Sequence, residues 1–469
     1  MTAQTEPAFA IRGVIEGFYG RPWSDSQRLE LIEFVAARGM NTFVYAPKGD
    51  PLVRERWREP YLGDELVRLK ALVDQCRTHG VDFVYCLSPG LSIEYSSAAD
   101  RAALCAKYDT VAALGVDRFG LLLDDIPSEL QHPADQAAFV DLVEAHRALI
   151  GSVFTHLGHA AGLIVCPTVY WGYGDEDYIT RLGHGIDPRI DLFWSGRAIC
   201  SATLDLADAA LFARSALRPV TYWDNYPVND VAMGHELHIG PYQGRDRHLY
   251  RFATGVIANG MELFESSKIA FATIADYLSA PEHYDPEESW KRALRDVVGD
   301  DDYAAYSLFA DTVRSSCLSA EDAPALTRAL NAFAYDYRFG DPQHAAAVLS
   351  DVARQMREAA DHLLDGPVSN RALIEEARPW VESFRLGADA LARIAELAAD
   401  ARLESDGPVE LIGYLTAFRT ANRRVFGDLL DMTLADLTTD QTDQTDKTDQ
   451  YARPESLAPP KLSTAKEAS

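Results

Sequence analysis

Short apolar segments alternate with amphipathic segments through residues 1–280, and this alternation constrains the fold more than any other feature of the chain. Each apolar segment has the length of a buried strand, and each intervening segment carries apolar residues at helical spacing. The sequence predicts strands over 12–18, 41–46, 82–87, 118–123, 163–166, 191–194, 220–223 and 261–264. It predicts helices between them, for example over 26–38, 65–79 and 135–157.

Eight strand–helix units of this length predict an α/β fold of the (β/α)8 TIM barrel type, which we expect to form a catalytic domain over 1–280. The structural alternative is an open, doubly wound parallel sheet. That fold carries a Gly-rich phosphate fingerprint after its first strand, and the first predicted strand here is not followed by one. The barrel is therefore the favoured interpretation.

The strand pattern stops near residue 280, and Ala-, Leu-, Arg- and Glu-rich segments follow. Asp285-Pro286 and Asp341-Pro342 have the form of helix starts, with an N-cap acid before a proline at the first helical position. Helices are predicted over 290–298, 344–364, 373–401 and 411–430. We expect a helical bundle domain over 281–435 and a low-complexity, disordered tail over 436–469.

Composition excludes several classes of partner for this chain of 469 residues. The formal net charge of −27 argues against nucleic acid and anionic membranes, since both bind basic patches. The N-terminus lacks the basic start and apolar core of a secretory signal. The six cysteines are scattered without a CxxC pair, which favours reduced thiols over a disulfide framework or a zinc site. We expect a cytoplasmic protein without metal or other cofactor.

Two adjacent carboxylates end the fourth predicted strand. The run Phe119-Gly120-Leu121-Leu122-Leu123 is apolar, and Asp124 and Asp125 follow it directly. Ionised carboxyls resist leaving water, so a buried strand that ends in two of them is costly unless they are used. Catalytic residues of TIM barrels lie at the carboxyl ends of the strands. Catalytic sites often place an acid that gives a proton beside an acid that stays charged. We therefore predict that Asp124 and Asp125 are catalytic.

The ends of the other predicted strands mix aromatic residues with acids, amides and a lysine. These candidates are Gly17, Lys48, Tyr170, Trp223, Asn225, Asp230 and Asn259. Aromatic rings contact the apolar faces of sugars, and acids and amides bind sugar hydroxyls. The mixture is typical of a carbohydrate site.

Several motifs, in the same order along residues 11–280, resemble glycoside hydrolase family 84, the β-N-acetylglucosaminidases known as O-GlcNAcases. They are Gly13-Val14-Ile15-Glu16-Gly17-Phe18-Tyr19-Gly20-Arg21-Pro22-Trp23, Tyr45-Ala46-Pro47-Lys48, Ser88-Pro89-Gly90, Leu123-Asp124-Asp125-Ile126, Cys166-Pro167-Thr168, Trp223-Asp224-Asn225-Tyr226-Pro227 and Gly240-Pro241-Tyr242-Gln243-Gly244-Arg245.

This resemblance implies a retaining exo-β-N-acetylglucosaminidase that works by substrate-assisted hydrolysis. The 2-acetamido oxygen of the sugar attacks the anomeric carbon and forms an oxazoline, an exception to the two-carboxylate scheme. Asp124 is implied to hydrogen-bond the acetamido N–H. Asp125 is implied to protonate the leaving oxygen and then to deprotonate the incoming water.

The resemblance also assigns the sugar-binding residues. Tyr170 is implied to donate a hydrogen bond to the acetamido oxygen, and Trp223 to wall the acetamido pocket. The residues implied to hold the sugar hydroxyls are Gly17, Lys48, Asn225, Asp230 and Asn259. Val169 and Trp171 depart from the family pattern, and we expect them to reshape the aglycone side of the site.

Other interpretations remain beside this one. The chain could be a non-catalytic glycan-binding protein on the same barrel. Asp124, Asp125 and Glu129 have the spacing of a magnesium-binding cluster, but the basic set that binds a diphosphate is not evident. His235 and His238 are predicted to be surface residues rather than metal ligands. The sequence leaves open whether the chain forms a homodimer through the helical region. It also leaves open whether the GlcNAc-containing substrate is a glycoside or a glycoprotein.

Overall fold

A computed structural model describes residues 7–158, 161–403 and 407–438 of the chain. Within these residues the strands are β1 (Ile11–Glu16), β2 (Thr42–Tyr45), β3 (Asp82–Leu87), β4 (Arg118–Leu122), β5 (Gly162–Cys166), β6 (Asp191–Trp194), β7 (Val220–Asp224) and β8 (Ala253–Asn259). Each strand pairs in parallel with the next, and β8 pairs with β1 to close a barrel. The predicted TIM barrel is confirmed, and an open sheet is excluded.

The barrel closes where β1 meets β8, with Ile11 opposite Gly255 and Ile15 opposite Asn259. A Cβ atom on Gly255 would lie 2.1 Å from the carbonyl oxygen of Ile11, so this close approach requires glycine. Apolar side chains fill the barrel interior: Ile15, Val44, Ala46, Val84, Cys86, Leu122, Ile164, Cys166, Phe193, Trp223 and Ile257. A filled interior leaves the strand ends as the place for a site.

Eight helices of the described chain surround the strands. They are α1 (Asp25–Ala36), α2 (Asp64–His79), α3 (Ala98–Ala112), α4 (Pro133–Ala138), α5 (Leu142–Leu157), α6 (Asp177–Gly185), α7 (Leu206–Ala216) and α8 (Phe264–Ser279). The main apolar core lies between these helices and the outward faces of the strands. Ser24 caps α1 reciprocally with Gln27, which fixes where the chain turns from the end of β1 into its helix.

Two sequence predictions within the barrel were wrong. The eighth strand is β8 rather than 261–264, so Asn259 is its last residue and does not precede it. β8 is rich in small residues, which gave a weak apolar signal. The buried Met261 and Phe264 lie in the segment before α8 and at the first residue of α8. The helix predicted over 135–157 is two helices, because Asp141 accepts a hydrogen bond from the Glu144 amide and starts α5 anew.

The helical region follows as α9 (Pro286–Val298), α10 (Tyr303–Asp311), α11 (Pro324–Phe339), α12 (Pro342–Asp365), α13 (Arg371–Ala399), α14 (Gly407–Thr420) and α15 (Leu429–Thr438). Asp285 caps α9 and Asp341 caps α12, each before a proline, as predicted. The single helix predicted over 411–430 was wrong. The chain leaves the helix between α14 and α15, where Asn422 and Phe426 have positive φ.

The helical region has its own apolar core, and this core reaches into the barrel. Met261 and Ile269 belong to it. At the start of α8 the amides of Glu265 and Ser266 donate to the Glu376 carboxylate of α13 at 3.1 and 3.0 Å. A division of the chain at residues 280 and 435 stays a prediction, and the tail predicted over 436–469 lies, from residue 439 on, outside the described residues.

All six cysteines are free thiols. Cys76, Cys86 and Cys166 are buried, whereas Cys105, Cys200 and Cys317 are partly exposed. In the described ranges, no helix has both the length and the apolar character needed to cross a membrane.

Candidate active site

A cavity of about 310 Å³ lies at the carboxyl ends of the barrel strands. All nine residues predicted for the site line it: Gly17, Lys48, Asp124, Asp125, Tyr170, Trp223, Asn225, Asp230 and Asn259. The remaining lining residues were not predicted: Tyr19, Cys166, Ile199, Cys200, Val228, Val231, Ala232 and Met233. Barrel closure brings together residues as far apart in sequence as Gly17 and Asn259, whose backbone N–H and side-chain Oδ1 are hydrogen-bonded at 3.1 Å.

The backbone at the end of β4 directs both aspartates toward the cavity. Side chains alternate between the two faces of an extended strand. Asp125 has φ of +52°, a left-handed conformation that interrupts this alternation. Leu123, just before the pair, is held by its amide to Cys166 O at 2.8 Å and by its carbonyl to Thr168 Oγ1 at 2.7 Å. The pair therefore sits on a fixed strand end.

Lys48 and Asp124 form an ion pair at the floor of the cavity. Lys48 Nζ lies 2.6 Å from Asp124 Oδ2, and the two side chains are only 4% and 6% exposed. Burial opposes the charge on Lys48, but the Asp124 carboxylate outweighs that effect and the pKa of Lys48 is raised. Asp124 Oδ1 is buried and finds no hydrogen-bond donor among the described residues. One oxygen of Asp124 is thus neutralised, and the other is an unused acceptor.

Asp125 has a different environment from its neighbour. Its side chain is 34% exposed and lies 4.0 Å from Lys48 Nζ. Tyr19 donates its hydroxyl to Asp125 Oδ2 at 2.8 Å, and Tyr170 donates to Oδ1 at 3.0 Å. Burial, followed by the charge of Asp125, raises the pKa of Tyr170, so this phenol remains a donor. Asp125 is the more accessible acid and accepts from two tyrosine hydroxyls.

A chain of hydrogen bonds fixes one wall of the cavity. Asn225 Oδ1 accepts from Trp223 Nε1 at 2.9 Å and from Asn259 Nδ2 at 3.0 Å. Asn225 Nδ2 donates to the carbonyl of Ile199 at 2.8 Å. A Cβ atom on Gly17 would lie 2.5 Å from Trp223 Cζ2, so glycine lets the indole lie against β1. The amides of this wall hold the indole in one orientation.

Asp230 lines the cavity and is hydrogen-bonded to the loop after β1. Its Oδ2 accepts from the Tyr19 amide at 2.7 Å. Burial raises the pKa of Asp230, and the hydrogen bond from Tyr19 partly opposes the shift. The carboxylate therefore fixes the loop that carries Tyr19 while remaining in contact with the cavity.

A buried ion pair behind the cavity supports the end of β7. Arg245 donates Nε to Asp224 Oδ2 at 2.9 Å and Nη2 to Oδ1 at 2.6 Å, and Tyr242 donates to the same carboxylate. The Arg245 and Asp224 side chains are 1% and 2% exposed. Since Asp224 lies between Trp223 and Asn225, this pair positions two residues of the wall. All three residues belong to motifs that the sequence analysis quoted without giving them this role.

Sequence reasoning missed Tyr19 and the apolar rim of the cavity. Tyr19 follows β1 within a quoted motif, so its position at a strand end could have identified it. Ile199 and Val231 lie in long loops without a distinctive pattern, and they form an exposed apolar rim. Val169 packs against the barrel core, and Trp171 is exposed. An effect of either residue on the aglycone side stays a prediction.

Two metal sites were considered from the sequence, a magnesium cluster that includes Glu129 and a site at His235 and His238. Glu129 is exposed and does not line the cavity, so it does not complete a cluster with the two aspartates. Among the described residues, no group of three His, Cys, Asp or Glu side chains could hold a metal ion. The prediction of a surface position was wrong for His238, which is fully buried and lies between Val228 O and Glu236.

The chain is similar to several known proteins. A family model described as beta-N-acetylglucosaminidase matches residues 12–311, more than half of the chain. The chain is 32% identical over 271 residues to Protein O-GlcNAcase of Rattus norvegicus and, equally, to that of Mus musculus. The match covers 56% of this chain, and the chain spans 29% of the length of these curated relatives.

Two solved structures match nearly the whole chain. One is an aspartate-to-asparagine mutant of the Thermobaculum terrenum O-GlcNAc hydrolase, with a TM-score of 0.86 and 33% identity, covering 92% of this chain and 94% of that one. The other is described as CpGH84B, with a TM-score of 0.81 and 27% identity, covering 92% of this chain and 77% of that one. The similarity therefore extends beyond the barrel into the helical region.

Proposed function

The chain belongs to the β-N-acetylglucosaminidase family, glycoside hydrolase family 84, and from this premise we propose that it is a retaining exo-β-N-acetylglucosaminidase. It removes a terminal β-linked GlcNAc by substrate-assisted catalysis through an oxazoline. The sugar's own acetamido oxygen attacks the anomeric carbon, so the protein supplies proton transfer and charge stabilisation rather than a nucleophile.

The unpaired oxygen of Asp124 carries this proposal. A buried carboxylate oxygen without a donor is costly, and a ligand N–H that reaches it recovers that cost. The acetamido N–H of a bound GlcNAc is such a donor. As the oxazoline closes, positive charge develops on that nitrogen, and the charged Asp124 stabilises it. Lys48 occupies the other oxygen, so the carboxylate keeps one orientation.

Asp125 is the proposed general acid and base. It is the more exposed of the two acids, as a group that reaches the leaving oxygen must be. Tyr170 donates to Asp125 in this structure and is proposed to donate to the acetamido oxygen when the sugar is bound. Release of that hydrogen bond frees Asp125 Oδ1 to face the leaving oxygen.

The rest of the cavity is proposed to hold the sugar. Trp223 walls the acetamido pocket, and hydroxyl contacts come from the residues Gly17, Lys48, Asn225, Asp230 and Asn259. The cavity volume of about 310 Å³ is at the lower end of the ~300–1,000 Å³ typical of small-ligand sites. This volume suits one sugar ring and supports exo-action at the end of a GlcNAc-containing glycoside or glycoprotein.

The second candidate is a non-catalytic glycan-binding protein with the same cavity. Turnover of an aryl β-N-acetylglucosaminide between pH 4 and 8 separates the two. The proposal expects hydrolysis, with no hydrolysis of the matching β-glucoside, which lacks the acetamido group. Binding of the glycoside without turnover anywhere in that range would establish the binding protein instead.

Two further predictions from the sequence remain to be tested. A homodimer through the helical region is one, and light scattering of the full chain measures it. A cytoplasmic location is the other, and fractionation of the source cells measures it.

A further inference from the structure

Two partly exposed thiols lie near Asn225, at the cavity wall. Cys200 is in the loop between β6 and α7 and lines the cavity. Cys317 is in the segment between α10 and α11, in the helical region, and packs against the barrel core. The sulfur of Cys317 donates to the backbone carbonyl of Asn225 at 3.8 Å. The side chain of the same Asn225 donates to the carbonyl of Ile199, the neighbour of Cys200.

We propose that Cys200 and Cys317 form a thiol pair that a small disulfide oxidises to an intramolecular disulfide, and that this modification changes the sugar-binding wall at Asn225. The proposal adds a modification site to the cavity and uses no group assigned to the hydrolysis.

The surroundings make Cys200 the thiol that reacts first. Both thiols are close to Asn225, whose carbonyl accepts from Cys317 and whose side chain donates to the residue before Cys200. Hydrogen bonding from Cys317 lowers the pKa of Cys200, against the effect of burial. The same contact, together with burial, raises the pKa of Cys317. The charged groups that face the pair are Asp224, Asp230 and Arg245. A thiolate that is partly exposed at a cavity is the reactive form of cysteine.

The reaction is thiol–disulfide exchange in two steps. The Cys200 thiolate attacks one sulfur of a low-molecular-weight disulfide, forms a mixed disulfide and releases one thiolate. Cys317 then loses its proton, attacks the Cys200 sulfur and releases the second thiolate, and both released thiolates take up protons. Two protein thiols are oxidised to one disulfide, and one small disulfide is reduced to two thiols.

The covalent bond is expected to move the wall. An S–S bond brings two sulfurs closer than a hydrogen bond does, so we expect it to draw the loop that carries Ile199 and Cys200 toward Cys317. That loop holds the Asn225 amide through the Ile199 carbonyl. Asn225 in turn orients Trp223 and Asn259. Oxidation therefore acts on three residues of the sugar site together.

The test treats the folded full-length chain with oxidised glutathione and maps the cysteines by peptide mass spectrometry. We expect a Cys200–Cys317 cross-link, and in Cys317→Ser a glutathione adduct that accumulates on Cys200. Cys105→Ser is the matched control, because Cys105 is a partly exposed thiol on α3, away from the cavity. It is expected to cross-link like the wild type. The proposal would be overturned if glutathione reacted with Cys105 while Cys200 and Cys317 both stayed free.

Activity gives the second readout. For each variant, kcat/KM of the oxidised protein is divided by kcat/KM of the reduced protein. We expect kcat/KM of the wild type on an aryl β-N-acetylglucosaminide to fall roughly tenfold, with recovery after dithiothreitol. Cys200→Ser and Cys317→Ser are expected to give a ratio near one. An equal loss in these variants would overturn the link to Asn225. The cross-link itself is mapped without turnover, so failure of the proposed hydrolysis is distinguishable from failure of this inference.

Discussion

The Lys48 ammonium and the Asp124 carboxylate form a buried ion pair, with 2.6 Å between Nζ and Oδ2. This pair separates the roles of the two adjacent acids. Asp124 is held in a fixed orientation by the ammonium, while Asp125 is contacted by two tyrosine hydroxyls and is partly open to the cavity. Different surroundings of two titratable groups are a physical basis for different roles in acid–base chemistry.

Replacing Asp125 tests its role as the proton donor. We expect Asp125→Asn to lower kcat/KM by about 10²–10⁴ for substrates with poorly acidic leaving groups, because these need protonation. Substrates with very acidic leaving groups should lose little. A series of aryl β-N-acetylglucosaminides with leaving groups of graded acidity measures this. The same loss across the whole series would contradict the assignment.

Gly17→Ala tests the fit of the indole against β1. The new Cβ would lie 2.5 Å from Trp223 Cζ2 and 3.2 Å from Asn259 Oδ1, so the indole has to shift. We expect a loss of about 1–3 kcal/mol in the free energy of unfolding and a raised KM. The control is Gly151→Ala on α5, where a Cβ meets no described atom within 4 Å. Equal behaviour of the two variants would remove the steric argument.

Arg245→Ala tests the buried ion pair behind the cavity. It leaves the Asp224 carboxylate buried without its guanidinium, and we expect a loss of about 3–5 kcal/mol in the free energy of unfolding. The control is Arg292→Ala, which breaks an exposed pair with Asp276 and should cost less than about 1 kcal/mol. Urea denaturation measures both. A small loss in Arg245→Ala would show that the pair is not important for stability.

Glu376 of α13, which accepts hydrogen bonds from the first amides of α8, predicts a pH dependence of stability. Burial raises its pKa from 4.5 to about 7, so the folded chain binds this proton more tightly than the unfolded chain. Its contribution is therefore fully present below a pH of about 4 and is lost as the pH rises to about 7, by roughly 3 kcal/mol.

Urea denaturation of Glu376→Gln between pH 4 and 8 measures this contribution. The stability of the variant should fall less steeply across that window than that of the wild type, by the contribution of Glu376. Glu382→Gln, at an exposed position of the same helix, should retain it. If the free energy of unfolding of Glu376→Gln fell with pH as steeply as that of the wild type, the pH dependence would belong to other groups.

The sequence predicted those parts of the fold that local chemistry determines. The aspartates at 285 and 341 specify helix starts through their own side chains, and seven of the eight strands have a clear apolar run. β8 was missed because its small residues give a weak apolar signal. They allow the close contact with β1, as at Gly255, and this contact depends on barrel closure rather than on local sequence.

The same distinction applies to the site. Residues at strand ends, such as Lys48 and Trp223, could be predicted because the barrel determines where they lie. Cys200 and Val231 lie in long loops whose path depends on tertiary contacts, and Cys317 arrives from the helical region. That these residues lie close to the cavity could be learned only from the structure.

Participation of the sugar's acetamido group is the central claim, and a series of aryl glycosides with N-acetyl, N-fluoroacetyl and N-trifluoroacetyl groups tests it most directly. Each fluorine weakens the carbonyl oxygen as a nucleophile. We predict that kcat/KM of the wild type falls steeply along the series and that Asp124→Asn is slow with every leaving group. Rates that do not change with fluorination would contradict neighbouring-group attack and the role of Asp124 in it.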